Sequence, residues 1–372
     1  MENLHIRKNV MNNYTIFHLH SDFSILDSAT KYDAYIDRAS ELGMKSIGFS
    51  EHGNVFNFLK KKQKCDELGI KYIHGQEFYI TLNIEEKIRD NWHCLLMAKN
   101  LNGVKELNKL SSLGYTRDGH YYYDARLSLQ ELISTSDNII ISSACLGGLL
   151  NSGNDEVEKT FLDFMIKNKH RCFLEVQHHN NEEQSSYNKK LYDLSNHYDL
   201  RLIAGTDTHS IDEAHEKLRS ILQKSKGINF PNESSWDLKF KTYDELVQCY
   251  AEQNSLPKTV YMEAIENTNV MANMVENFEL DLAYKYPKIY SDSDEIFKQK
   301  VYEGLKSKGL DNNKEYIKRI EYETKAIAKN GAIDYLLLQE KITSWCRLNN
   351  IFPGYSRGSV SGCLCAYLLG IT

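Results

Sequence analysis

Residues 14 to 30 read YTIFHLHSDFSILDSAT, so two histidines, two serines and two aspartates fall in the ten residues that follow directly on a short apolar run. On an extended segment His18-x-His20 projects both imidazoles to one face, because side chains alternate with a period of two. Such a pair is a bidentate grip for a metal ion. Similar residues recur downstream at the ends of apolar runs: Glu51 and His52, Glu77, His93, Cys145, then Asp207 and His209. Imidazoles with carboxylates suit Zn, Mn or Fe, and a thiolate such as Cys145 biases one position toward a softer ion. Donors beyond the four of a structural zinc imply more than one ion. Paired ions clamp a phosphoryl group and activate a water. Taken singly, Asp207-x-His209 is an ordinary turn or helix-cap pattern, and Glu77 or Cys145 alone is unremarked. Their recurrence in chain order carries the reading.

The elements that must position these residues are short apolar runs alternating with helical patterns over the first 210 residues. YTIFHLH, KSIGFSE, IKYIHGQEFYI, HCLLMA, NIIISSAC, CFLEVQ and RLIAGTD read as strands, with segments such as YDAYIDRASEL and VEKTFLDFMIKN as helices between them. About seven strand-helix units predict a parallel sheet closed, or nearly closed, into an α/β barrel, whose active face lies at the carboxyl ends of the strands. From about residue 212 helical patterns follow one another, and FELDLAYKYPKIYSDSD, residues 278 to 294, is the best boundary between domains.

With 41% hydrophobic and 26% charged residues in 372, the chain has the composition of a globular protein. The start MENLHIRKNV lacks a signal-peptide apolar core, and no apolar stretch is long enough to span a bilayer, so the expectation is a cytoplasmic protein with no membrane partner. Eight scattered cysteines show no CxxC pair, and most read as small buried hydrophobes. A net charge of −6 means that a nucleic acid must meet a local positive surface. The run KKKQK, residues 60 to 64, is a candidate phosphate contact but reads more readily as a solvated helix face.

HLHSDFSILD, SEHGN, HGQEFY, WHCLLMAKN, ISSACLGGLL, LEVQHH and GTDTHS, in this order, resemble the polymerase and histidinol phosphatase (PHP) domain at the amino end of bacterial DNA polymerase III alpha subunits, the C-family replicative polymerases. The resemblance continues through YIKRIEYETKAIAKNGAIDYLLL to RGSVSGCLCAYLLGIT and so covers essentially the whole chain. It implies a PHP-type distorted (β/α)7 barrel followed by the mainly helical start of a polymerase palm. Residues 1–283 would be the PHP domain, with the barrel at about 1–227 plus a helical extension, and 284–372 an incomplete palm.

Position by position, the resemblance implies a metal set of His18, His20, Asp27, His52, Glu77, His93, Cys145, Asp207 and His209, holding two or three divalent ions (Zn, Mn or Fe). Asp207, His209 and Glu77 would be catalytic. Some family members have lost ligands and keep the domain as scaffold; the complete set here implies a phosphoesterase with 3′–5′ exonuclease, or proofreading, activity. Glu51 departs from the family's usual Asp before His52 and would tune the site from beside it. His178 and His179, after Glu175, are neighbours of the site. A free-standing phosphoesterase on small phosphate esters, or a non-catalytic scaffold stabilised by metals, are the alternatives.

In RGSVSG, Arg357, Gly358 and Ser359 match the palm's triphosphate-binding loop, although Pro353-Gly354-Tyr355-Ser356 precedes it where the family tends to have Gly-Pro-Gly. Without that match, the segment would read as a plain turn. The palm aspartates that hold Mg for polymerisation lie downstream in the family, and no acidic residue follows Ser359. The expected partners are therefore DNA, as primer 3′ end and template, a complementary polypeptide carrying the rest of the polymerase, and other replisome subunits.

Overall fold

The computed structural model describes residues 13–228, 236–283, 285–354 and 358–372. The chain divides into two compact units, Met1–Glu279 and Leu280–Thr372.

The first unit is built on eight strands: β1 (Ser46–Phe49), β2 (Lys71–Thr81), β3 (Trp92–Ala98), β4 (Tyr121–Tyr122), β5 (Asp124–Ser128), β6 (Ile139–Ser142), β7 (Cys172–Gln177) and β8 (Arg201–Gly205). They form one sheet in the order β4-β5-β2-β3-β6-β7-β8, with β1 also paired to β2. The sheet curls. Residues 16 to 19 bridge its two ends, Ile16 pairing with Ile47 and Leu19 with Thr208.

The sheet is not all parallel, contrary to the expectation from the strand-helix alternation. β3 runs antiparallel to both β2 and β6, and β4 with β5 makes an antiparallel hairpin. A parallel neighbour needs a crossover of a dozen or more residues, usually helical. The link from β2 to β3 is the polar stretch LNIEEKIRDN, which has no helix, so the chain simply turns back. The reversal has a functional result: His93, at the start of β3, arrives at the same end of the sheet as Glu77, near the end of β2.

The expected first strand, YTIFHLH, is two isolated bridges rather than a ladder. Ser50 Oγ takes the Leu19 N–H at 3.0 Å in place of a backbone carbonyl, and the chain bends at His18. The bend lets consecutive residues serve the interior, Phe17 in the apolar core and His18 beside Glu175.

On the inner face a period-two pattern runs from apolar to ligand residues. Ile73, Leu95, Phe173 and Ile203 belong to one buried cluster, and two or four residues away on the same face lie Glu77, His93, Glu175 and Asp207. Met271, Ala272 and Val275, at the end of the helix Lys258–Met274, pack on the same core. The outer helices bury one stripe each; Asp155–Lys167 buries Val157, Phe161, Phe164 and Met165, with Asn154 capping its N-terminus.

The second unit is helical among its described residues. Helices Ser293–Ser307, Lys314–Lys329, Ile333–Leu348 and Leu364–Leu368 surround Phe297, Val301, Leu305, Ile320, Leu337 and Leu368. Glu323 accepts the N–H groups of Leu364 and Cys365 at 3.2 and 2.8 Å, capping the last helix with a carboxylate. Gly358 and Ser359 are exposed and enter a short 3-10 turn, Ser359–Gly362, whereas Arg357 lies outside the described residues. All eight cysteines are free, and among the described residues no helix is long and apolar enough to cross a membrane.

Candidate metal centre

The carboxyl end of the curled sheet gathers the nine residues singled out above. Glu77 is at the middle. Its Oε1 lies 3.0 Å from His93 Nδ1 and 3.6 Å from His18 Nε2; its Oε2 lies 2.7 Å from His52 Nδ1 and 3.6 Å from His20 Nε2. Asp207 Oδ1 is 3.1 Å from His18 Nε2 and 3.4 Å from His20 Nε2. Asp27 Oδ2 sits 2.9 Å from His52 Nε2 and 3.2 Å from His209 Nε2, and Cys145 Sγ is 3.4 Å from His93 Nδ1. Three groups here have metal-binding spacing, the first two sharing His20: His20, His52 and His209; His18, His20 and Asp207; Glu77, His93 and Cys145.

Distance alone does not make these contacts hydrogen bonds. His18 Nε2, His20 Nε2, His52 Nδ1 and both Glu77 oxygens are buried and have no hydrogen-bond partner. They lie within the mutual spacing of ligand atoms that share a cation, and each would otherwise cost about 1–3 kcal/mol unpaired. The residues therefore fit divalent ions.

Outer partners fix which nitrogen of each ring faces inward. His18 Nδ1 is 2.5 Å from Glu175 Oε1, a carboxylate that only accepts, so Nδ1 carries the proton and Nε2 presents its lone pair. His209 Nδ1 likewise donates to the Asp207 carbonyl at 2.9 Å. Ser24 Oγ gives its single proton to Glu51 Oε2 at 2.6 Å, which obliges His20 Nδ1, 3.1 Å away, to donate to Ser24. Burial, reinforced by the neighbouring His52 and His209, pushes the His20 imidazolium down to about 3, so His20 is the neutral ligand form at neutral pH. Burial alone would raise the carboxyls of Glu77, Asp207 and Asp27, but the imidazoles facing them hold all three well below the usual range. Burial raises the Cys145 thiol, with His93 opposing it.

Several supporting residues escaped the sequence reading. Glu175 reaches His18 because position 205 is glycine: a Cβ there would overlap the Glu175 carboxylate. Ser142 Oγ donates to the other Glu175 oxygen at 2.6 Å. Asp27 Oδ1 accepts from Arg219 and, at 3.0 Å, from Gln223, both on the helix Glu213–Ser225. Nothing in sequence spacing links residues nearly 200 positions apart.

KKKQK is a correction. Lys61 is neither solvated nor free for phosphate; it is buried with its ammonium 2.6 Å from Glu51 Oε1 and over the rings of Phe23 and Phe49. Lys62 and Lys64 pair with Asp66 and Asp37. Glu51 thus stands outside the ligand cluster, bonded to Ser21, Ser24 and Lys61. His178 and His179 contribute to none of the three groups; His178 gathers instead with Asp237 and Cys249.

Three backbone outliers flank the site. Leu26, Ala144 and Asp207 have φ of 69°, 62° and 46°, a conformation costing roughly 1–3 kcal/mol for a side-chain-bearing residue. They precede Asp27, precede Cys145, and carry a ligand-type carboxylate respectively.

Residues 17–179 match the family model described as PHP domain, and residues 295–372 the one described as bacterial DNA polymerase III alpha NTPase domain. The DNA polymerase III subunit alpha of Aquifex aeolicus is 31% identical over 95% of this chain and 33% of that protein. Those of Borreliella burgdorferi and Helicobacter pylori are 29% and 28% identical, over 95% and 96% of this chain and 32% and 33% of theirs. The chain spans about a third of the length of these relatives. A solved two-domain protein from Bacteroides vulgatus, described as containing a predicted PHP-like metal-dependent phosphoesterase, gives a TM-score of 0.37 at 14% identity, covering 65% of this chain and 63% of that one. The chain thus carries an amino-terminal PHP domain with metal-binding clusters, followed by a domain matching the alpha-subunit model, and along nearly its whole length it is similar to bacterial DNA polymerase III alpha subunits.

Proposed function

We propose that the metal centre hydrolyses the phosphodiester at the 3′ end of a DNA strand, as the 3′–5′ exonuclease of a replicative polymerase. The observation that carries this reading is the set of buried, partnerless donor atoms converging from His18, His20, His52 and Glu77. Nine donors of mixed N, O and S type suit two or three ions of the Zn, Mn or Fe class. When bound, such ions polarise phosphoryl oxygens and make water a nucleophile at neutral pH.

The chain's own residues divide the remaining work. Asp207 would hold an ion together with His18 and His20, His209 would do so with His20 and His52, and Glu77, each of whose oxygens faces a different pair of histidines, would help to hold another. Substrate enters on the side of His52, Asp27 and His93, whose side chains are 16, 20 and 25% exposed; Cys145 is half-buried, whereas His18, His20, Glu77, Asp207 and His209 are buried. Tyr79 stands on that side with its ring 6.2 Å from His52 and 5.3 Å from His93, a surface on which a terminal base can stack. The match of residues 295–372 to an alpha-subunit domain favours DNA over a small ester.

We read residues 1–283 as the PHP domain and 284–372 as the start of the palm, with Arg357, Gly358 and Ser359 in its triphosphate loop. Gly358, at φ 119°, is in the left-handed region, which suits a tight turn around phosphate oxygens. DNA, Mg for polymerisation and other replisome subunits belong to this reading of the whole polymerase. Comparing release from a 3′-labelled single-stranded oligonucleotide with turnover of p-nitrophenyl phosphate, both with Mn, tests the assignment. Efficient ester turnover with intact DNA ends would favour a small-molecule phosphoesterase, and metal-loaded protein inert to both would favour a scaffold.

A further inference from the structure

We propose that His178, Asp237 and Cys249 form a further metal site, separate from the nine-residue cluster, that takes one zinc-class ion. His178 directly follows β7, Cys249 lies on the helix Tyr243–Gln253, and Asp237 lies on the segment before that helix. One ligand atom from each falls within 4.8 Å of the others. Bond lengths of ~2.0–2.3 Å put neighbouring atoms of a tetrahedral zinc shell about 3.4 Å apart, so side-chain rotations of roughly an ångström close the shell. Imidazole, carboxylate and thiolate together are a zinc-type donor set.

His178 is the decisive member. It is 1% exposed, and neither ring nitrogen has a hydrogen-bond partner. Of the rings beside it, His179 lies 4.9 Å away, and Tyr250, edge-on at 6.2 Å, commits its hydroxyl to the Val176 carbonyl at 2.7 Å, while the Asp237 backbone is close enough to act on the imidazole. Asp237 Oδ1 is held by Lys241 at 2.7 Å, which leaves Oδ2 for an ion. The lysine opposes a cation, and the thiolate offsets it: as the sulfur–metal bond forms, the Cys249 proton passes to water. Asp237 and Cys249 also line a cavity of about 440 Å³ together with Lys239, Glu245 and Gln248. That cavity gives the ion a way in and a water a fourth coordination position.

Cobalt(II) titration of the full chain tests the site, with Cys145→Ser as background so that the thiol of the larger centre is silent. The metal-free Cys145→Ser protein should develop a thiolate-to-cobalt charge-transfer band. Adding Cys249→Ser, or separately His178→Gln, should remove the band and lower bound cobalt by one equivalent per chain, with the circular dichroism spectrum unchanged. No band in the Cys145→Ser protein, or a band and ion count unaffected by either added substitution, would overturn the proposal. Because His178→Gln leaves the Cys249 helix untouched, a folding defect in one variant does not shield the result.

Discussion

The Lys61 ammonium lies 2.6 Å from Glu51 Oε1, with both side chains at most 2% exposed. Glu51 in turn accepts from Ser24, and Ser24 orients His20 and accepts the His52 backbone N–H at 3.1 Å. A lysine from the most basic run of the chain thereby supports the inner histidines.

Removing one partner of a buried pair strands the other charge, at a cost of about 3–5 kcal/mol. Lys61→Met should therefore lower unfolding free energy by roughly that amount, and Glu51→Gln added to it should restore part of the loss. Chemical denaturation of the three proteins measures this. A Lys61→Met protein as stable as wild type would mean that the pair is not formed.

The same pair sets an acid limit. Burial would raise the Glu51 carboxyl, but Lys61 and the hydroxyls of Ser21 and Ser24 hold it down at about 2, against an ordinary value of 4.5. A depressed carboxyl contributes stability that is present above its unfolded value and lost as pH falls through the folded one. Wild type should lose stability more steeply than Glu51→Gln between about pH 4.5 and 2. Parallel slopes in melting temperature against pH would contradict the assignment.

How much of this was readable beforehand differs by type of information. Residue types at the ends of apolar runs marked His18, His20, Glu77, His93, Cys145, Asp207 and His209, because local alternation says which face a side chain takes. The reversal of β3 was also present in the sequence, as a helix-free polar link too short for a crossover. What local pattern does not encode is pairing across the fold. Glu175 with His18, Arg219 with Asp27, and Lys61 with Glu51 depend on the curl of the sheet, so Lys61 resembled any other lysine of a charged helix.

Position 205 offers a sharper probe of the outer partners. Gly205→Ala would drive a methyl group into Glu175 and move it from His18. Loss of such a partner typically weakens metal affinity about 10–100-fold. Competition against a chelator reads the change. Unaltered affinity would remove Glu175 from the support of the site.

Metal removal should be felt by the whole first unit. With ions extracted, the partnerless atoms of His18, His20, His52 and Glu77 remain buried, so the melting temperature should fall and recover on adding Zn or Mn. The protein as purified, never exposed to chelator, should hold at least two transition-metal ions, and His18→Ala with His20→Ala should hold fewer. Elemental analysis near zero for the untreated protein would count against the metal centre.

Tyr79 separates DNA from small esters. Tyr79→Ala should raise KM for a single-stranded oligonucleotide by about 5–100-fold, the range of one base-stacking contact, and leave p-nitrophenyl phosphate turnover nearly unchanged. Equal effects on both substrates would assign the ring to packing of His52 and His93.

The most direct test is the rate of 3′-label release from a single-stranded oligonucleotide, with Mn, by wild type and by Asp207→Asn. The substitution keeps the size of a side chain within 3.1–3.6 Å of His18, His20 and His209 while removing its charge. Metal-dependent release by wild type, with a loss of at least about 100-fold in the variant, is expected, since a direct ligand should matter more than an outer partner. Equal release by the two proteins, or none by metal-loaded wild type, would contradict a hydrolytic metal centre.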